Sequence, residues 1–459
     1  MSRVLHSFIS FAETAAILVL VGAAGTHPVG AQVPLPRTRT DTVVLSLDDV
    51  QRLAVDGHPT LLGVRQETAI ARGALRQARL FRSNPDLALQ STGGAPGSRS
   101  GQLDVMLTQE VEWAGQRGLR AAAARTGLVR SAFSVQDAGR LTVADASAGF
   151  YRAFAAERRL AVAEEALALV ERLLSAVRIQ VREGEISRLE ANLAEIESGR
   201  ARGRVLSARR AANSTEQELK LLVGLASETP VRLVGDSTVV RSAPLGDGAV
   251  DSLVALALTR RPDFAATAEG VREAEILAAL SRREAFPNLR VGAAATTQSG
   301  SSALQLGPAI GFTLPFLNRN QGLADERRAR LARAQLDRRA TLLRVRTEVA
   351  TADLAYRAAS EEALVYETSV LQRAHENAML LETAYGAGKI DLSTLLLLRN
   401  QLLDAELGFW DAWLAQREAL VQLDAATGRL APPSISLTPI DPAAVRVRDS
   451  ATPFVRTTP

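Results

Sequence analysis

Apolar positions recur along this chain with two different periods. Leu160, Ala163, Leu167, Val170, Leu174, Val177 and Val181 stand alternately three and four residues apart, the a/d seam of a coiled coil. Leu342, Val345, Val349, Ala352, Tyr356, Ala359, Ala363, Tyr366 and Val370 repeat that seam. No proline interrupts 118–182, and at 1.5 Å per residue a helix over that span reaches about 100 Å. A compact globule has no use for such a rod. Between the helical stretches the period falls to two. Leu103-Asp104-Val105-Met106-Leu107-Thr108-Gln109-Glu110-Val111 and Leu304-Gln305-Leu306-Gly307-Pro308-Ala309-Ile310-Gly311-Phe312 alternate from face to face, as half-buried strands do. Each has a hairpin partner, at about 86–92 and 288–298, across glycine- and serine-containing turns at 93–98 and 299–302.

Strands of about ten residues with one apolar face suit a membrane barrel, and equally a soluble antiparallel sheet packed on a core. Pro308 leans toward the second, since proline belongs at edges and bulges. Counting separates the cases. Two hairpins give four strands, whereas a closed transmembrane barrel needs at least about eight, and lipid does not tolerate an open edge. Either the sheet is soluble or several copies pool their strands. Three copies would pool twelve.

The chain also repeats itself. His58-Pro59 pairs with Arg261-Pro262 at an offset of 203, and Asn84-Pro85-Asp86-Leu87 with Phe286-Pro287-Asn288-Leu289 at 202. Gly118-Leu119 matches Gly322-Leu323, Gly184-Glu185-Ile186 matches Gly388-Lys389-Ile390, and Gly224 matches Gly428, all at 204. The landmarks keep their order, so the chain reads as two tandem units. Each unit predicts helix, strand, strand, very long helix, helix. Upstream, Arg3 and His6 precede the apolar run Ala15–Val21, and small residues follow to Val29-Gly30-Ala31. That order of charge, short apolar core and small residues is a secretory signal peptide.

Composition removes whole classes of function. Cysteine is absent, which excludes disulfides, thiolate metal sites and cysteine catalysis. The charge of +4 is spread over many arginines nearly cancelled by acids, with lysine only at Lys220 and Lys389, so no basic patch invites nucleic acid. No nucleophile elbow, P-loop or zinc signature frames a catalytic site, and no cofactor is expected. His58 reads as a helix-end residue beside Pro59, and His375 as a solvated helix position. Met106 and Met379 are too isolated to pass a soft metal along. Trp410 and Trp413, with Phe409, read as helix-on-helix packing.

Together these features resemble the TolC family of outer-membrane efflux proteins, and within it the CzcC-like heavy-metal efflux branch. The resemblance covers about 45–428. It is carried by the segments Gln109–Gly118 and Leu314–Gly322, each following the second strand of its hairpin, and by Gly184–Ser187 and Tyr385–Asp391 at the far ends of the long helices. It implies a mainly α fold with a small β part: a trimer with a twelve-stranded outer-membrane barrel continued by a periplasmic α-helical barrel. The chain then divides into a signal peptide (1–31), an N-terminal periplasmic segment (32–46), repeats at 47–224 and 249–428 around a linker (225–248), and a C-terminal tail (429–459). The linker carries a short strand at Val231–Val234.

The same resemblance implies no enzymatic activity. The expected function is the outer-membrane channel of a tripartite system, fed by an inner-membrane pump through a periplasmic adaptor, with heavy-metal cations as one cargo. The alternative is an exported coiled-coil structural or adhesion protein whose hairpins pair in a soluble sheet. The turns Gly184, Ile186, Ser187 and Gly388, Lys389, Ile390 are the candidate adaptor contacts. Glu185, Glu190 and Asp391 are the candidate carboxylates of a cation-attracting constriction, although Thr394 and Leu397 stand where many relatives carry acids. Trp113, ending its strand, is a candidate for the aromatic girdle at the membrane interface.

Overall fold

The computed structural model describes residues 42–93, 101–184, 186–240, 249–298 and 303–430. The expected signal peptide, most of the C-terminal tail, both hairpin turns and Glu185 lie outside the described residues. The elements run β1 (Val43–Leu45), α1 (Leu47–Gly57), α2 (Pro59–Arg79), β2 (Asp86–Gly93), β3 (Gly101–Val111), α3 (Gln116–Glu183), α4 (Arg188–Val223) and β4 (Val231–Leu233). There follow α5 (Ala249–Arg260), α6 (Pro262–Arg283), β5 (Leu289–Gln298), β6 (Gln305–Phe312), α7 (Gln321–Val365), a π-turn (Tyr366–Leu371), α8 (Gln372–Gly386) and α9 (Leu392–Thr427).

Two helices, not one, precede each hairpin. Pro59 and Pro262 each occupy the first turn of a new helix, where a missing N–H costs nothing, while the residues before them, His58 and Arg261, are held extended. Helix α3 is one unbroken element of 68 residues. Its counterpart is not unbroken, which corrects the uniform heptad reading of the second repeat. At Tyr366–Leu371 the backbone widens into a π-turn, which takes in extra residue and shifts the seam. Here the Tyr366 ring lies directly on Gly408 of α9, where a Cβ would stand 2.7 Å from it. Only glycine fits there.

The helices form open rows. In the half nearest the strands α2 packs on α3, α3 on α6, and α6 on α7. In the far half the row is α4, α3, α9, and then the π-turn with α8. The core sits where the halves meet. Short α1 buries Val50 and Ala54 against Phe150 of α3 and Leu219 of α4. Short α5 does the same with Leu253 and Ala257 against Val349 of α7 and Leu423 of α9. Between these clusters Trp413 is wholly buried among Phe154, Ala363 and Phe409, so the tryptophan pair does pack helix on helix. Parallel pairing of β1 with β4 ties the start of the chain to the linker.

Two buried arginines fasten the last turns of α9. Arg140 donates to Ala425 O at 2.6 Å and pairs with Asp137. Arg261 donates to Ala426 O at 3.2 Å and is paired at 2.6–2.7 Å with Asp263 and Glu348. Guanidinium groups suit a helix C-terminus because its last carbonyls are unpaired and carry the negative end of the dipole.

Candidate functional site

The four-stranded sheet runs β2-β3-β5-β6, antiparallel throughout, and both outer edges are unpaired within the chain. Register sorts its side chains by face. Leu87, Leu89, Leu103, Val105, Leu107, Val291, Leu306, Ile310 and Phe312 share one side with Ala293, Ala295 and Pro308. The opposite side holds Asp86, Gln90, Gln102, Asp104, Glu110, Arg290, Thr296 and several glycines and alanines. None of the described residues covers the apolar side: Leu306 and Ile310 are 74% and 73% exposed. A soluble sheet would bury such a face on a core. A bare apolar face with a polar one behind it is what a wall between lipid and water requires. Pro308 sits on edge strand β6, a position that proline tolerates.

On the polar side Asp104 accepts hydrogen bonds from Gln102 and Thr296, and Glu110 accepts from Asn288 and Ser83. At its foot this face opens into a cavity of about 1110 Å³ lined by Arg82, Asp86, Glu110, Gln116, Arg290 and Arg327. The strand-to-helix links here are fixed by unusual backbone. Gly115 and Asn320, the residues before α3 and α7, both adopt the left-handed conformation, and Asn320 is the one non-glycine to do so among the described residues. Its side chain donates to Glu284 O at 2.6 Å. Trp113 stands at the same level. Its Nε1 donates to Pro287 O at 2.8 Å, its ring meets Phe286 edge-on, and 60% of the residue remains exposed.

At the opposite end the two long-helix turns lie side by side. Ile186 and Tyr385 both pack against the buried set Leu174, Val177, Leu392 and Leu396. Gly184 ends α3 at φ +80° and Gly388 turns the second tip at φ +67°, conformations that penalise any side chain. Ser187 and Glu190 form a reciprocal capping box: the hydroxyl accepts from Glu190 N–H at 3.3 Å and the carboxylate from Ser187 N–H at 2.9 Å. Asp391 caps α9 by accepting from Thr394 N–H at 3.1 Å. Hydrogen bonds from Ser393 and Thr394 hold its carboxyl at about 2. The Tyr385 phenol is raised, first by burial and then by the Glu190 charge beside it, which places Glu190 at the contact between tips. Lys389 is exposed, and Ile390 is half-buried.

Glu190 and Asp391 therefore serve as helix caps. The structure also adds a link that the sequence reading lacks. Arg204 of α4 donates to Glu197 and to Asn400 of α9, both at 3.0 Å, tying the first-repeat arm to the second.

Among the described residues no cluster of three or more His, Asp or Glu could hold a metal ion, and no helix is long and apolar enough to cross a membrane. The model of the family "Outer membrane efflux protein" matches residues 253–429. That match lies on the second of the two repeats. The cobalt-zinc-cadmium resistance protein CzcC of Cupriavidus metallidurans is 23% identical over 390 residues, 84% of this chain and 90% of that protein. Among solved structures, a membrane protein from Pseudomonas aeruginosa aligns with TM-score 0.70 and 20% identity over 83% of this chain and 92% of that one. The CusC channel aligns with TM-score 0.69 and 16% identity over 83% and 92%. The Campylobacter jejuni CmeC outer membrane channel gives 0.69 and 15% over 84% and 86%. The chain thus shares the fold of these solved structures, long helices with β-hairpins, along most of its length.

Proposed function

We propose that this chain is an outer membrane efflux protein, three copies of which close into one channel that passes substrate from the periplasm to the outside. The bare apolar face of the sheet carries the reading. In lipid that face is satisfied, but unpaired edges are not, so β6 of each copy must meet β2 of the next. Three sheets of four strands then make a barrel of twelve, with the polar face toward water. Helix rows open at α2 and α7, and at α4 and α8, have their free edges on the same two sides and close with the strands.

Substrate would arrive from an inner-membrane pump by way of a periplasmic adaptor docked on the tips around Gly184 and Gly388. The long α-helical tunnel has a purpose only if it reaches toward such partners; a simple diffusion pore has no need of one. Heavy-metal cations are the cargo to which kinship with the cobalt-zinc-cadmium resistance protein points. The chain itself offers them a polar wall and acidic tips rather than a chelating site.

Reconstituted in planar bilayers, the purified protein should give steady, single-step conductances. A protein that never permeabilises the bilayer would leave the adhesion reading standing. Removing charge with Glu185→Gln, Glu190→Gln and Asp391→Asn together should weaken block by multivalent cations applied from the tip side, since it deletes up to nine carboxylates from a threefold mouth. Block that stays unchanged would show that these groups act as caps and solvated charges alone.

A further inference from the structure

At the foot of the sheet the chain gathers positive charge that its own acids leave unmatched. From 68 to 85 it carries Arg72, Arg76, Arg79 and Arg82 and no acid. Three arginines from different helices are drawn together there. Arg117, in the first turn of α3, donates to Arg79 O at 2.8 Å and lies 4.7 Å over the Phe81 ring. Its neighbour Gln116 donates to Arg283 O at 3.3 Å. None of Arg79, Arg117 and Arg283 has an ion pair among the described residues, and Arg117 and Arg283 are exposed. The acids nearby are engaged elsewhere. Arg120 holds Glu112 at 2.6 and 2.8 Å, Asn288 and Ser83 occupy Glu110, and Glu284 faces Arg82 at 4.0 Å. Guanidinium groups so placed repel one another unless an anion bridges them.

The cluster adjoins a surface suited to lipid. Trp113, two residues beyond β3, carries on the alternation that sets Leu107 and Val111 on the bare apolar side. It meets Phe286 edge-on and stays 60% exposed although its Nε1 is bonded to Pro287 O. Exposed tryptophan beside an apolar band settles at the membrane–water boundary, the level of the phosphate headgroups. Arginine matches phosphate because its planar fork donates two parallel hydrogen bonds. Trp113, Phe286, Arg117 and Arg283 belong to the ends of β3, β5, α3 and α6, the inner members of the sheet and of the near-half row. The patch therefore stays open whatever closes the outer edges.

We propose that Arg79, Arg117 and Arg283, beside the Trp113–Phe286 pair, hold the phosphate headgroup of an anionic phospholipid in the periplasm-facing leaflet. The inference rests on the outer-membrane channel reading. An arginine at an anionic lipid surface favours association about fivefold, so Arg117 and Arg283 together favour it about twentyfold. The foot of the barrel thus collects anionic lipid from a mixed leaflet, and the preference weakens as salt screens the charges.

Quenching of Trp113 fluorescence by lipids brominated on their acyl chains tests this in the full-length protein reconstituted in bilayers. Trp410 and Trp413 pack in the helical core, and Trp113→Phe gives their background signal. Brominated phosphatidylglycerol should reach Trp113 with a binding constant about twentyfold above that of brominated phosphatidylcholine. Arg117→Gln with Arg283→Gln should bring that ratio close to one, while Arg117→Lys with Arg283→Lys, which keep the charge, should retain most of it. Arg283→Gln alone, whose side chain bonds to nothing among the described residues, should leave helical circular dichroism unchanged and lower the ratio about fivefold. Equal quenching by both lipids, or a ratio that the glutamine variants leave unchanged, would overturn the headgroup site while the membrane reading stands. No quenching by either lipid would overturn both. A preference abolished by millimolar inorganic phosphate would show that the arginines take free phosphate, and would overturn the lipid as occupant.

Discussion

Gly292→Val is expected to abolish insertion of the trimer while the helical part still folds. Gly292 lies opposite Thr108 in the β3–β5 pair. A Cβ there would stand 2.0 Å from the Leu107 carbonyl oxygen and 2.9 Å from the Thr108 Cα. Both obstacles are backbone, so no rotamer change relieves them. Overpacking a core against side chains typically costs about 1–3 kcal/mol; a clash with the ladder itself must separate the two hairpins, and with them the two halves of the sheet. The check is the yield of detergent-extracted trimer together with helical circular dichroism. Normal trimer with valine at this site would mean that β3 and β5 are not paired in this register.

Arg261→Ala should be the most damaging change in the helical part. The side chain is 3% exposed and joins Asp263, Glu348 and Ala426 O across three helices. Removing one partner of a buried ionic network costs up to about 3–5 kcal/mol; Arg344, 3.7 Å from Asp263 and 3.8 Å from Glu348, remains as their weaker counterion. Burial alone would raise the Asp263 carboxyl, but the Arg261 guanidinium more than offsets this and holds it below its ordinary value. The sign of the pH dependence follows. A carboxyl with a depressed folded pKa stabilises fully above its unfolded value of about 3.9, and that stability is lost as the pH falls through the folded pKa. Thermal unfolding midpoints should therefore separate native and variant proteins widely at pH 7 and less at pH 3. A gap that stays constant with pH would remove Asp263 from the account.

Much of this architecture is legible in the sequence, because it rests on periodicity. The three-and-four spacing from Leu160 to Val181 becomes the inner seam of α3, and alternation from Leu103 to Val111 becomes the two faces of β3. Repeat landmarks work for a physical reason. Gly184, Gly388, Gly224 and Gly428 all have positive φ, so one backbone requirement marks the end of an arm in each repeat. What escapes periodicity is what depends on a partner distant in sequence. In the π-turn Tyr366 meets Gly408, 42 residues on, and no local pattern announces that contact. Arg140 and Arg261 acquire meaning only when the end of α9 arrives beside them. The tip carboxylates show a subtler limit. Ser187-Arg188-Leu189-Glu190 is a capping-box sequence, but a reading that sought pore charges passes over the hydrogen bonds that occupy Glu190 and Asp391.

The central claim is that the sheet and the helix rows are each a third of a closed wall. Native mass measurement of the full-length protein, extracted from outer membranes in mild detergent, tests this most directly. The account predicts a single species of three chains that survives high salt. A stable monomer or dimer, or a product released without detergent, would contradict it.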